Sequence, residues 1–129
     1  MADSVQLHHV ALQCTDRTQA QLFFTKILGM TQEKTFTLSA ALSQAIFDID
    51  ETVDVDVYCN ATTRFEIFCT SQMPRLAYQH VCLVVSDKDR FIERCRHYGL
   101  EPFTIPKSGR TLLFIHDFSR NVYEIKEQQ

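Results

Sequence analysis

The sequence predicts an α+β fold built from two copies of one strand–helix–strand–strand–strand unit. Three observations carry that expectation. His9-Val-Ala-Leu-Gln-Cys-Thr-Asp16 and His80-Val-Cys-Leu-Val-Val-Ser-Asp87 match at His, Val, Leu and Asp with an offset of 71 residues, and such internal repetition sets the architecture before local detail does. In both copies the aspartate precedes a segment with the three–four apolar spacing of a surface helix. Both segments then stop at a glycine, Gly29 in LGM and Gly99 in YGL, where a left-handed helix cap costs little.

The elements follow in order. After the first strand, LHHVALQC, the carboxylate of Asp16 is placed to accept the orphan amides of a helix over Arg17 to Leu28. Ala20, Phe23, Phe24, Ile27 and Leu28 form its buried face. A strand is predicted near Thr31 to Leu38, then a short helix begun by Ser39 over AALSQAIF, then an alternating strand Val53 to Cys59. Asn60 to Thr63 turns the chain into a closing strand, Arg64 to Cys69. The second copy is leaner. Asp87 caps a helix over Lys88 to Tyr98, with Phe91, Ile92, Cys95 and Tyr98 on one face. Three strands follow at Pro102 to Ile105, Thr111 to His116 and Asn121 to Lys126, joined by the turn segments KSGR and DFSR. SQMPR is the linker, because Pro74 interrupts a strand on either side. The expected organisation is one domain, 1–129, with module one at 5–70, module two at 78–127 and the linker at 71–77.

Strand alternation assigns the histidines. Successive side chains point to opposite faces, so Val10 and Leu12 lie under the helix while His9, Ala11 and Gln13 face away from it. His8 then falls with the packed set, near its edge. In the second copy Val81, Leu83 and Val85 pack, and His80 and Cys82 take the open face. The closing strands behave alike: Phe65 and Ile67 pack opposite Arg64, Glu66 and Phe68, and Tyr123 and Ile125 pack opposite Val122, Glu124 and Lys126. Two histidines and two glutamates thus share the open side. A mid-strand carboxylate among apolar neighbours needs a cation, strong donors or open water. Imidazole and carboxylate together suit zinc, nickel, cobalt, iron or manganese.

Composition narrows the function classes. Thirteen basic and sixteen acidic residues give a net charge of −3 with no long run of one sign, so nucleic acid is not an expected partner. A 45% hydrophobic content suffices for a core. No stretch reaches the roughly 20 apolar residues that cross a bilayer, and MADSVQ lacks the form of a signal peptide, so the expected location is the cytoplasm. The five cysteines are odd in number, form no CxxC pair and read as buried free thiols.

The stretch LHHVALQCTDRTQAQLFFTKILGM, with Phe65 to Cys69, Gln79 to Leu100 and Leu112 to Lys126, resembles the vicinal oxygen chelate proteins. That group includes glyoxalase, extradiol dioxygenases, fosfomycin-resistance proteins, methylmalonyl-CoA epimerase and bleomycin-binding proteins. The resemblance implies two βαβββ modules forming a cupped mixed sheet around a divalent transition metal. It places the metal ligands at His9, Glu66, His80 and Glu124, and His9 rather than His8 because His9 stands before Asp16 as His80 stands before Asp87. The His-to-Glu separation is 57 residues in the first half and 44 in the second, and the excess is about the length of the Ser39 to Glu51 insertion. The turn Asp117-Phe-Ser-Arg-Asn121 departs from the family's Asp-Pro-Asp-Gly-Asn.

The resemblance further implies a glyoxalase-like lyase or isomerase acting on a small substrate with vicinal oxygens through an enediolate, with Glu124, or Glu66, as the base. Arg64, Phe68, Lys107 and Arg110 are the candidate substrate contacts. The competing readings are a metal-free small-molecule binding protein of the resistance type and an extradiol-type dioxygenase. A homodimer is expected, with the site inside one chain or across two.

Overall fold

The computed structural model describes residues 6–72 and 77–129. Most of the expected linker, including Pro74, and the first residue of module one lie outside the described residues. Module one runs through β1 (Val10–Cys14), α1 (Arg17–Leu22), a π-helical turn (Phe23–Ile27), β2 (Thr31–Leu38), α2 (Ala40–Phe47), β3 (Val53–Cys59) and β4 (Arg64–Cys69). Module two runs through β5 (Val81–Val85), α3 (Lys88–His97), β6 (Phe103–Lys107), β7 (Arg110–His116) and β8 (Val122–Glu127). Each module forms a four-stranded sheet with the same topology, β1-β4-β3-β2 and β5-β8-β7-β6. The first and last strands of each are parallel and the other pairs antiparallel. The repeat in sequence is therefore a repeat in fold.

The aspartate caps form as expected: Asp16 accepts from the amide of Gln19 and Asp87 from that of Arg90. Gly29 and Gly99 take positive φ, 70° and 88°. The first helix differs from the expected single α-helix. Beyond Leu22 it widens, and the Leu28 amide donates to the carbonyl of Phe23, a bond five residues back. That wider turn puts Phe23, Phe24 and Ile27 together in the core, each no more than 2% exposed. The strands of module two extend closer to their hairpin than expected. Ser108 and Gly109 both have positive φ and make a two-residue turn, leaving Lys107 and Arg110 paired within the strands.

One core joins the modules. Phe23 packs on Tyr123, ring centroids 5.1 Å apart, within a cluster that includes Phe24, Tyr58, Phe65 and Ile67 of module one and Phe91, Leu113, Ile115 and Ile125 of module two. Polar clasps reinforce it. Asn121 donates to the carbonyl of Gln13, the Thr15 amide donates to Ser119 Oγ, and Arg94 donates to the carbonyl of Ile27. Asp117 organises its turn by accepting from the amides of Ser119 and Asn121, from the Asn121 side chain and from Tyr123. The turn Asp117-Phe-Ser-Arg-Asn121 is thus held by its first aspartate, with Arg120 at φ 70°.

The helix-side faces are spent on this core, so the open faces of both sheets point outward. Of the cysteines, all free, only Cys14 and Cys95 are buried. Cys82 is exposed on the open face of β5, which corrects the expectation of buried thiols: an edge strand with one solvated face leaves alternate residues wet. Among the described residues no helix is long and apolar enough to cross a membrane.

Candidate metal centre

His9 lies one residue before β1, and its face is fixed by the register Ala11↔Glu66 between the parallel strands β1 and β4. His9 Nε2 comes 3.6 Å from Glu66 Oε1. Module two repeats the arrangement: His80 precedes β5, Cys82 pairs with Glu124, and His80 Nε2 is 3.8 Å from Glu124 Oε1. Each carboxylate stands opposite a small side chain, Ala11 or Cys82, and beside an apolar one, Val57 or Phe114. Both glutamate side chains are about one-fifth exposed, 21% and 19%.

Neither nitrogen–oxygen distance is a hydrogen bond. Both suit two donors converging on a third body: ligands about 2.1 Å from a zinc-sized ion at tetrahedral angles stand about 3.4 Å apart. The far side of each imidazole is tied down. His80 Nδ1 lies 2.9 Å from the carbonyl of Tyr78, which only accepts, so Nδ1 donates and the ring is held with Nε2 on the side of Glu124. His9 Nδ1 is 2.8 Å from Nδ1 of His8. Such a bond on the second nitrogen sets the tautomer and aim of metal-ligating histidines. His8 is exposed rather than packed against the core, which corrects the alternation argument. That argument requires a regular strand, and both His8 and His9 precede β1.

Two expected ligands meet in each half, and the two pairs do not meet within the chain. Among the described residues no three His, Cys, Asp or Glu side chains gather closely enough to hold an ion.

The other candidate residues fall around these pairs. Arg64 forms an ion pair with Glu33 of β2, which raises the Arg64 pKa and lowers that of Glu33. Phe68, two residues beyond Glu66, stacks edge-on with Phe47 of α2, ring centroids 5.5 Å apart. Arg110 lines a cleft of about 230 Å³ together with Glu124, Lys126 and Lys88. Lys107 is exposed across the hairpin from Arg110 and is not among the residues lining that cleft. A second cavity, about 380 Å³, opens between the outer edge of β1 at Val10–Leu12 and that of β5 at His80, with His116 and Arg120 on its wall.

Sequence reasoning missed the contacts made by His8, Tyr78 and Phe47. A doubled histidine and an apolar insertion helix were visible, but neither reveals its contact without coordinates.

No protein-family profile matches the chain, and no curated protein matches it by sequence. Solved structures do match in three dimensions. The fosfomycin resistance protein FosX from Listeria monocytogenes, as a mutant complexed with Mn(II) and 1S,2S-dihydroxypropylphosphonic acid, superposes with a TM-score of 0.73 at 16% identity, covering 98% of this chain and 95% of that one. A glyoxalase family protein from Bacillus cereus gives 0.73 at 15% identity over 98% and 95% of the two chains. FosX from Mesorhizobium loti gives 0.69 at 15% identity over 96% and 92%. The chain has the paired βαβββ fold of these proteins.

Proposed function

We propose that this chain is a metal-dependent vicinal oxygen chelate enzyme in which His9 and Glu66 of one copy and His80 and Glu124 of a second copy hold one divalent transition metal. The observation that carries the reading is the repeated geometry: two His–Glu pairs at 3.6 and 3.8 Å, each with its imidazole Nδ1 anchored and its Nε2 directed at the carboxylate. A metal-free binding module has no use for that duplication. A dimer supplies the missing half-sites, and β1 and β5, which both histidines precede, are edge strands of their sheets.

An ion held by His9, Glu66, His80 and Glu124 would supply Lewis acidity to the substrate. The residues do the rest. Glu124 Oε1 accepts a proton from the carbon next to a substrate carbonyl and returns it to the neighbouring carbon, and Glu66 is placed to take the same part from the other half. The flanking apolar residues restrict water around each carboxylate. Lys126 and Arg110, lining the cleft with Glu124, hold an anionic group of the substrate, while Phe68 and Phe47 present an apolar wall beyond Glu66. The function is therefore lyase or isomerase chemistry on a small anionic molecule with vicinal oxygens. FosX from Listeria monocytogenes, bound to Mn(II) and a dihydroxy phosphonate, supports both the metal and the shape of ligand.

Metal analysis tests the reading. Protein purified without chelator and titrated with Mn(II), Ni(II), Co(II) or Zn(II) is expected to bind one ion per chain, and His9→Ala, Glu66→Gln, His80→Ala or Glu124→Gln each to weaken that uptake. Protein that takes up none of these ions abandons the enzyme and leaves a binding module.

A further inference from the structure

The strongest feature outside the site is a pair of thiols beneath it. Cys14 closes β1 and Cys69 closes β4, and the two are register partners on adjacent parallel strands. Strands so paired run about 4.8 Å apart, within the Cα separation of about 4.4–6.8 Å that a disulfide spans. Both side chains lie on the helix side, Cys14 with Val10 and Leu12, Cys69 with Phe65 and Ile67, so neither backbone needs to turn. Cys14 is 3% exposed, whereas Cys69 is only partly buried. Each thiol perturbs the other: Cys69 lowers the Cys14 pKa, and Cys14, with burial, raises that of Cys69. Cys69 also donates to Asp56 at 3.6 Å, and Asp56 is clamped by Arg17.

We propose that Cys14 and Cys69 form a reversible disulfide when the protein meets a hydroperoxide. One of the two sulfurs attacks the peroxide, the O–O bond breaks, and an alcohol or water leaves with one oxygen and the thiol proton while that cysteine becomes a sulfenic acid. The other sulfur then attacks the sulfenic sulfur, its thiol proton leaves with the displaced hydroxide as water, and the S–S bond forms. The two sulfurs together lose two electrons and the peroxide gains them. The bridge fastens the far end of the β1–β4 ladder that also carries His9 and Glu66. The remaining three cysteines take no part, because none is a register partner of another cysteine.

Hydrogen peroxide applied to the reduced full-length protein, followed by alkylation under denaturing conditions, reads this directly. Two of the five thiols are expected to become unavailable, the intact mass to fall by two hydrogens, and peptide mapping to give a Cys14–Cys69 cross-link that dithiothreitol removes. Cys14→Ser and Cys69→Ser should each give no intramolecular bridge, and at least one of the two should leave its remaining sulfur trappable by dimedone. Wild-type protein that keeps all five thiols, bridges a different pair, or accumulates over-oxidised Cys69 without a cross-link overturns the proposal. The readout does not depend on metal or substrate.

Discussion

At the scale of single residues, the site is a problem of aiming imidazoles. A histidine before a strand rotates freely unless its second nitrogen is held, and here His8 and the Tyr78 carbonyl hold His9 and His80. Removing such an outer partner from a metal site typically costs 10–100-fold in affinity. Since His8 is itself exposed, His8→Ala is expected to weaken metal binding by about 10-fold, measured by calorimetric titration, with the fold unchanged by circular dichroism. On the opposite face of β3, Asp56 is 2% exposed and takes a bidentate pair from Arg17, with Thr35 as a further donor. Burial alone raises its pKa, but Arg17, Thr35 and Cys69 outweigh burial and leave it below the ordinary carboxylate value. A carboxylate depressed on folding contributes stability above its unfolded pKa and loses it as pH falls through its folded pKa. Asp56→Asn should therefore cost about 2–3 kcal/mol at neutral pH, and its unfolding midpoint should converge on the wild-type midpoint below about pH 4.

Among the elements, the widened turn Phe23–Ile27 decides how the modules meet. Its extra residue brings Phe23 against Tyr123 and Phe24 against Tyr58 and Phe65. Phe23→Ala is expected to cost about 3–5 kcal/mol in denaturant unfolding. Both modules should still unfold in one transition, because their core is common; separate transitions would show that each folds alone. The insertion helix α2 touches the open face through Phe47 and Phe68 and leaves Leu42, Ile46 and Ile49 about half exposed. It lengthens the first His-to-Glu separation without moving Glu66 from its place opposite Ala11.

For the whole molecule, the separation of the two His–Glu pairs has a measurable consequence under the proposed function. In a homodimer built as proposed, His9→Ala and His80→Ala variants each damage every site. Refolded together as an equal mixture, they generate heterodimers in which one of two sites has all four ligands, so roughly a quarter of all sites should recover full metal affinity. A site contained within one chain would recover none. The fold was legible in the chain because its signals are local and doubled: matched aspartate caps, matched glycines, and alternation that assigned Glu66 and Glu124 to the open faces. The π turn was not, since apolar spacing does not separate a helix of 3.6 residues per turn from a slightly wider one. The bounds of Arg110 and Lys107 shifted because a two-residue turn needs positive φ at Ser108, which serine rarely announces. The sequence by itself determined which residue types stand on which face, because the side-chain period of a strand is a covalent property. Only the tertiary structure decided that the four candidate residues form two separate His–Glu pairs and that His8 contacts His9. Those facts depend on how two sheets pack through a shared core, and packing distances are set by side chains far apart in the chain.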